Sequence, residues 1–476
     1  MTIQPASKIF IVGSGVFGIS TALWLARSGY NDVTVFDMQD TKGSGYNPDA
    51  GIDSASADIN KIIRFSYGEE IEYQRLAFEA AKIWEEWNIE LQESRTEDLP
   101  EVLRTGSRKL WWNCGYLRMS DGAEYDAFEL KTLENMKKEG IRESQFMVDN
   151  EIDIQRAEQS GWGQKLDPCN RKSKFGVHKA VLDSSGGFVV AYKSCAWAQH
   201  LATKAGVKFL LHPSKGKVVH IQATEDGKPV LEMADGTTHH GDYVVVAGGG
   251  WTPSLVPEAD GLLETTAGSV SSIRLPDDRP DLWERFSPEK FPVVSWNMKT
   301  KGIYAFPITE QGVLKIGYRK TKYTNYQDID GRRISVPKTA HVTDDKEANI
   351  PLEALEAAKD IISSNMPELT ELGISSTKLC WYTDSIDNSF VVDFVPGKPR
   401  VAICSGGSGH GFKFLPILGR EVVKILEGNG KQTVYGSMWQ WRDSNNKIRN
   451  GLEEGEQGPR VLGKQRMANE TNWSFT

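Results

Sequence analysis

Cysteine is scarce in this chain of 476 residues, with five scattered positions and no CxxC or other metal-ligand spacing. The pattern disfavours a disulfide framework and a metal site and is typical of a reducing compartment. No apolar run approaches the roughly 20 residues of a membrane span, and no cationic leader with an apolar core precedes the first predicted strand. We therefore expect a cytoplasmic protein without a membrane partner. The final NWSFT is not a Ser-Lys-Leu type address, although a peroxisomal location stays open.

An excess of positive charge is also missing. The formal net charge is −8 and the isoelectric point is near 5.7, which disfavours a phosphate-neutralising surface and hence a nucleic-acid partner. With 39% hydrophobic and 25% charged residues, the chain is long enough for two intertwined domains with substantial cores. Small molecules are the expected partners.

A glycine-rich turn lies near the start of the chain. A short apolar run, residues 8–12, precedes GSGVFG, whose glycines are Gly13, Gly15 and Gly18, and a helical pattern follows. The next β-like run, DVTVFD, ends on Asp37, about 20 residues on, where a carboxylate can bind a ribose hydroxyl. This order is typical of a dinucleotide site, and the alternative is an ordinary glycine-rich turn. NADP is disfavoured because no arginine follows Asp37 closely.

A second glycine turn, AGGGWTP, follows the predicted parallel strand DYVVVAGG. FAD proteins whose chain returns to the dinucleotide often close this way, whereas a simple NAD dehydrogenase has no need of it; a plain sheet-ending turn is the alternative. We predict an α/β fold, in which a Rossmann-type FAD-binding domain is interleaved with an α+β substrate domain built on an antiparallel sheet. The predicted boundaries are 1–75, 170–265 and 375–430 for the FAD domain, 76–169 and 266–374 for the substrate domain, and 431–476 for a C-terminal surface tail.

A third conspicuous stretch is KLCWYTDSIDNSFVVDF followed by SGGSGHGFKF. It places Cys380 and Lys413 about thirty residues apart across a predicted strand and turn. The glycines between Gly406 and Gly411 indicate a backbone that comes very close to a flat or charged group. Taken alone, this stretch is ambiguous.

Together, GSGVFG, DINKIIRFSYGEEIEY, AGGGWTP, VLKIGY and the C-terminal pair resemble the monomeric sarcosine oxidase family. That family includes pipecolate and saccharopine oxidases and the fungal fructosyl amino acid oxidases, or amadoriases. The resemblance runs in order from Ile9 to about Gly428, and the C-terminal pair is its most specific part. It implies the sarcosine oxidase/D-amino acid oxidase-like fold and a monomer.

The resemblance implies that Cys380 carries FAD covalently, since a thiolate can add to the 8α-methyl position of the flavin. An isolated cysteine would otherwise be a small buried hydrophobe, the interpretation we give Cys404. Lys315 matches the family lysine that lies over the flavin and assists its reaction with oxygen. The alternative for Lys315 is a solvent-facing side chain on an alternating strand.

Arg64 and Lys413 match two family cations that hold the substrate carboxylate. Alternatively, Arg64 pairs with Glu69 or Glu70 and Lys413 lies at the surface. Lys61 matches a cation near the flavin. The resemblance implies further FAD contacts from the three motifs, giving a predicted cofactor set of Gly13, Gly15, Val16, Phe17, Gly18, Asp37, Lys61, Gly248, Trp251, Cys380, Gly407, Gly409, His410, Gly411 and Lys413.

Two departures concern substrate choice. Sarcosine oxidases carry histidine where this chain has Arg319, and often where it has Ala57. Arg319 is predicted to bind substrate through a second carboxylate or a sugar, and the alternative is a surface residue that balances acidic neighbours. DINKI favours amadoriases, whereas IIRFSYGE and SGHGFKF favour sarcosine and pipecolate oxidases.

We therefore expect an FAD-dependent oxidase of an N-substituted amino acid, secondary or N-methyl. It would oxidise the C–N bond to an imine or iminium and reduce O2 to hydrogen peroxide. Hydrolysis of the imine and ring closure on the iminium, as in fungal secondary metabolism, are both open. A deglycating fructosyl amino acid oxidase is the alternative within this chemistry, and a non-catalytic flavin-binding protein is the alternative from another class. The nitrogen substituent is left undetermined.

Overall fold

The computed structural model describes residues 2–52, 54–298, 300–338, 350–443, 450 and 452–475. Its strands, in chain order, are β1 (Ile9–Val12), β2 (Val33–Asp37), β3 (Asn60–Ile63), β4 (Trp111–Trp112), β5 (Tyr116–Ser120), β6 (Gln145–Met147), β7 (Lys179–Asp183), β8 (Gly187–Val190), β9 (Lys208–Leu211), β10 (Val218–Ala223), β11 (Pro229–Met233), β12 (Thr238–His240), β13 (Tyr243–Val246), β14 (Leu263–Arg274), β15 (Val293–Trp296), β16 (Ile303–Ala305), β17 (Val313–Tyr323), β18 (Tyr326–Ile329), β19 (Arg332–Ser335), β20 (Ser376–Ser385), β21 (Val391–Val395) and β22 (Lys398–Ser405).

Twelve α-helices occur in the described part of the chain. They are α1 (Val16–Arg27), α2 (Thr41–Ser44), α3 (Ile71–Glu93), α4 (Ala127–Lys138), α5 (Glu151–Gln159), α6 (Arg171–Phe175), α7 (Ala191–Lys204), α8 (Thr252–Leu255), α9 (Pro280–Arg285), α10 (Leu352–Asn365), α11 (Leu418–Lys424) and α12 (Val434–Trp439).

A six-stranded sheet forms the dinucleotide-type half of the fold, with strand order β21-β22-β13-β1-β2-β9. Its strands are parallel except β21, which pairs antiparallel with β22. Strands β1 and β13 are buried along their whole length, as the unbroken apolar runs in their sequences predict. Helices α7 and α11 both pack against α1, so one face of the sheet is covered. The predicted α/β class is confirmed.

The GSGVFG turn connects β1 to α1 under tight steric constraints. Gly13 has φ +108°, and a Cβ there would lie 2.4 Å from the Ala247 carbonyl oxygen. A Cβ on Gly18 would lie 1.9 Å from the Gly13 carbonyl oxygen. Any side chain at either position would therefore push β1, β13 and α1 apart.

A larger sheet of eight strands forms the other half, in the order β20-β14-β17-β16-β15-β5-β7-β6. It is mainly antiparallel, and β14, β17 and β20 are its long members. Strands β7 and β20 belong to this sheet, although the predicted boundaries assign both to the FAD domain. The reason is register: β20 pairs with β14 from Ser376 to Ser385, and such long-range pairing leaves no local sequence signal.

Several described residues of the segment 431–476, predicted to form a surface tail, pack against the body of the protein. Trp439 is fully buried in the core beside α3, and Leu462 and Ala468 are buried against the large sheet. A few apolar residues spaced along a polar segment are enough to anchor it. Among the described helices, none has the length and apolar character needed to cross a membrane.

Candidate active site

One continuous cavity of about 1630 Å³ runs between the parallel sheet and the large sheet. Every residue predicted to bind cofactor or substrate lines it, except Gly18. Gly18 instead serves helix packing, since its α-carbon faces the Gly13 carbonyl. All of the sequence motifs that carry the family resemblance therefore contribute to a single site.

The dinucleotide end of the cavity is organised around Asp37, at the carboxyl end of β2. Its Oδ2 accepts hydrogen bonds from the Ser14 backbone N–H at 2.7 Å and the Ser14 hydroxyl at 2.9 Å. Burial raises the pKa of Asp37, and the bonds from Ser14 and Gln39 partly offset that effect. The carboxylate thus stabilises the glycine turn through its two hydrogen bonds from Ser14, and it also lines the cavity.

The glycines around this end make a cradle that side chains would fill. A Cβ on Gly407 would lie 2.8 Å from the Phe17 ring, and one on Gly411 would lie 2.9 Å from it. The turn after β13 brings Gly248 and Trp251 to the same cavity. These residues suit an extended dinucleotide, because backbone can approach a pyrophosphate closely only where Cβ atoms are absent.

At the centre of the cavity lies an ionic cluster that joins three strands. Lys315 on β17 donates to Asp58 Oδ2 at 2.7 Å, and Lys61 on β3 donates to the same oxygen at 2.6 Å. Lys61 Nζ also lies 3.3 Å from the Sγ atom of Cys380 on β20. The predicted tethering cysteine and the predicted oxygen-side lysine are therefore connected through Lys61 and Asp58.

Burial and mutual attraction set the charges of this cluster. Burial lowers the pKa of Lys315 to about 8, although Asp58 opposes the change. The pKa of Asp58 is held well below its usual range by Lys315 and Lys61 against the opposing effect of burial. The pKa of Lys61 is raised by Asp58 and Cys380, which outweigh its desolvation. Lys315 is only 1% exposed, so the solvent-facing alternative is wrong.

Asp58 is a site residue that the sequence reasoning missed. It belongs to the DINKI string, which supplied only the Lys61 assignment. The available signal was its position three residues before Lys61, on the same side of a short turn into β3. Its partner Lys315 lies 257 residues away, a separation that no local pattern reveals.

A second cationic group lies beside the C-terminal glycine turn. Lys413 donates to the Tyr67 hydroxyl at 2.8 Å and to the His410 carbonyl at 3.0 Å. Arg64 has its guanidinium 4.3 Å from the Tyr67 ring centroid and donates to the Ser66 carbonyl. Burial, with Arg64 and Arg319 nearby, holds the pKa of Lys413 well below its usual range. Lys413 is 3% exposed, so the surface alternative is wrong.

Neither Arg64 nor Lys413 forms an ion pair with a carboxylate among the residues that the structure describes. The alternative pairing of Arg64 with Glu69 or Glu70 is therefore not found there.

His410 lines the cavity but uses its ring in packing: Nε2 lies 2.9 Å from the Asn388 carbonyl oxygen, and the ring stacks on Phe390. Burial and Lys413 hold the pKa of His410 well below its usual range, so the ring is neutral.

Sequence and structure comparisons assign the family. The model of the family "FAD dependent oxidoreductase" matches residues 8–425. The chain belongs to this family. Its cofactor is accordingly FAD.

Two relatives and one solved structure are similar to this chain over at least 90% of its length. An L-saccharopine oxidase of Schizosaccharomyces pombe is 24% identical over 91% of this chain and 93% of its own length. A monomeric sarcosine oxidase of an Arthrobacter species is 24% identical over 90% of this chain and 95% of its own. A fructosyl peptide oxidase structure from E. terrenum superposes with TM-score 0.78 at 23% identity, covering 98% and 99% of the two chains. The predicted resemblance and the predicted fold are both confirmed.

Proposed function

We propose that this protein is an FAD-dependent oxidase of N-substituted amino acids that passes electrons from substrate to oxygen. The observation that carries the proposal is the arrangement of two cationic groups in one cavity. Arg64 and Lys413 lie at the C-terminal turn, and Lys315 lies in the central cluster with Asp58 and Lys61. Arg64 and Lys413 are suited to bind a substrate carboxylate. Lys315 is suited to stabilise negative charge that develops on oxygen.

Arg64 and Lys413 would bind the α-carboxylate of the substrate. A guanidinium offers a planar fork and an ammonium a point charge, so the pair fixes both position and orientation. The Tyr67 ring and hydroxyl hold both cations in place. The same positive charges favour the neutral form of the substrate amine, so that its lone pair is available without a dedicated base.

The FAD would be held by the GSGVFG turn, Asp37, Gly248, Trp251 and the turn 407–411. Once bound, it supplies the acceptor for the hydride that leaves the carbon beside the amine. We propose that Cys380 tethers it covalently. The Lys61 ammonium, 3.3 Å from Sγ, would stabilise negative charge on the sulfur when that bond forms.

Lys315 would act on the oxygen side of the reaction. A buried ammonium stabilises negative charge that develops on oxygen more strongly than it would in water. Asp58 and the Asn60 carbonyl, 2.8 Å from Nζ, fix its position without a change of conformation. The products would be an imine or iminium and hydrogen peroxide.

Hydrogen peroxide release with a panel of amino acids tests this proposal. The panel should contain sarcosine, pipecolate, N-methyl aromatic amino acids and fructosyl valine, each with its primary amino acid as control. Peroxide from the secondary amines supports the proposal, and peroxide from fructosyl valine alone would favour a deglycating oxidase. FAD-loaded protein without turnover on any compound would indicate a flavin-binding protein. We further propose a cytoplasmic monomer, as the sequence predicts.

A further inference from the structure

Three cations converge on the turn that carries residues 408–413. Arg64 and Lys413 were assigned above to one carboxylate, and Arg319 reaches the turn from β17 on the opposite wall. Within the described part of the chain, no carboxylate lies within ion-pair distance of any of the three. Because like charges brought together in a buried site destabilise one another, a negatively charged ligand would stabilise this cluster and favour the charged form of Lys413, whose pKa the burial and the two arginines lower.

The bonds of Arg319 leave much of its guanidinium free to bind a ligand. It donates to the Gly409 and Ser408 carbonyls, each at 3.3 Å, which is long for a charged donor. A guanidinium carries five N–H donors, so two weak bonds do not satisfy it. The acid that influences it, Asp384, already accepts from Lys322 at 3.0 Å and Thr266 at 2.7 Å.

A second donor next to Arg319 also lacks a partner. The Tyr382 hydroxyl is buried, lines the cavity and has no hydrogen-bond partner among the described residues. A Cβ on Gly268 would lie 3.9 Å from this hydroxyl and 3.8 Å from the Arg319 Cβ, so the two side chains flank one glycine of β14. An unpaired buried hydroxyl is costly, and binding of a ligand oxygen would satisfy it.

We propose that Arg319 and Tyr382 form a second anion subsite, and that the preferred substrate carries a carboxylate on its nitrogen substituent. This inference rests on the proposed function and adds a substrate class to it, the N-(carboxyalkyl) amino acids. Arg64 and Lys413 bind the α-carboxylate, and Arg319 binds the second one as a fork with Tyr382 as a further donor. A neutral sugar would leave the charge of Arg319 uncompensated.

Matched substrate pairs test the subsite directly. A series of N-(ω-carboxyalkyl)glycines with one to four methylenes is compared with the corresponding carboxamides, which have nearly the same shape but no second charge. We expect at least one carboxylate to exceed its carboxamide in kcat/KM on the order of 10- to 100-fold. Equal values across all pairs, with turnover present, would overturn the inference while leaving the proposed function intact.

Variants of Arg319 and Tyr382 test whether these two residues cause the preference for the carboxylate over the carboxamide. Arg319→Met should bring the carboxylate-to-carboxamide ratio close to one, Arg319→Lys should restore part of it, and Tyr382→Phe should lower it several-fold. Arg274→Met is the charge-matched control, because Arg274 is an exposed arginine of the neighbouring strand outside this cavity. An unchanged ratio in Arg319→Met would contradict the assignment of the subsite.

Binding provides a readout that does not depend on turnover. Each compound is titrated into FAD-loaded protein, and the change in flavin absorbance gives Kd. We expect the carboxylate to bind more tightly than its carboxamide, with the difference lost in Arg319→Met. If nothing is oxidised but this difference in Kd is present, the proposed oxidase function fails and the subsite stands; if the Kd values are equal, the subsite fails.

Discussion

The Asp58 Oδ2 atom lies 2.7 Å from the Nζ atom of Lys315, although 257 residues separate them in the chain. The same oxygen holds Lys61, whose ammonium contacts the Cys380 sulfur. One buried carboxylate thus bridges two ammonium groups and favours their charged forms. It links the proposed site of flavin attachment to the proposed site of oxygen reaction.

Replacing Asp58 with asparagine should impair both the oxygen reaction assigned to Lys315 and the covalent attachment of flavin assigned to Cys380. Without the carboxylate, the two ammonium groups repel each other and the pKa of Lys315 falls further, because Asp58 is the main group that raises it. We expect the reaction of the reduced enzyme with oxygen at pH 7 to slow by about tenfold or more. Anaerobic reduction followed by rapid mixing with oxygenated buffer measures this step separately from substrate oxidation.

The control for that experiment is Asp281→Asn, which removes an exposed carboxylate paired with Arg279 outside the site. Denaturing gels scanned for flavin fluorescence add a readout that does not depend on activity. A lower fraction of covalent flavin in Asp58→Asn is expected if Asp58 positions Lys61 against Cys380. Normal attachment together with a normal oxygen rate would show that Asp58 is only structural.

The pKa of Lys315 predicts how the oxygen reaction depends on pH. Burial lowers that pKa to about 8, so the side chain is charged below this value and neutral above it. If the charge assists oxygen, the rate should be constant in acid and fall as pH rises through about 8. Lys315→Met should be slow and without this transition. A wild-type rate that rises over the same range would contradict the role.

Cys380 and Cys404 provide a matched pair for the covalent link. Cys380 is partly exposed beside Lys61, whereas Cys404 is buried in the core and burial raises its pKa to about 12. In wild type and Cys404→Ala, we expect the yellow colour to stay with acid-precipitated protein. In Cys380→Ala it should pass into the supernatant. Full release from wild-type protein would refute the link.

Lys413→Met tests the carboxylate clamp. Removing the ammonium takes away a charged hydrogen bond to the substrate, so we expect KM to rise on the order of 10- to 100-fold with a smaller change in kcat. Lys413→Arg should recover part of the loss. Lys424→Met is the control, since this half-buried lysine of α11 lies outside the cavity and pairs with Glu421. Unchanged KM in Lys413→Met would place the substrate carboxylate elsewhere.

Much of the fold was predictable because its signals are local. The turn GSGVFG lies between a strand, β1, and a helix, α1, as predicted. Sheet membership was not predictable where pairing between distant segments decides it. β20 and β7 look like continuations of the dinucleotide half, yet their hydrogen bonds place them in the large sheet.

By itself, the sequence determined the chemistry that each segment brings: glycines for close approach, a cysteine, and cations of two kinds. Spacing along the chain is enough for these, because turns and strand periodicity depend on near neighbours. Only the tertiary structure decided which charges meet. Asp58 joins Lys61 to Lys315, and Arg319 reaches the turn of Lys413, because sheet register and burial bring distant side chains together and then set their protonation.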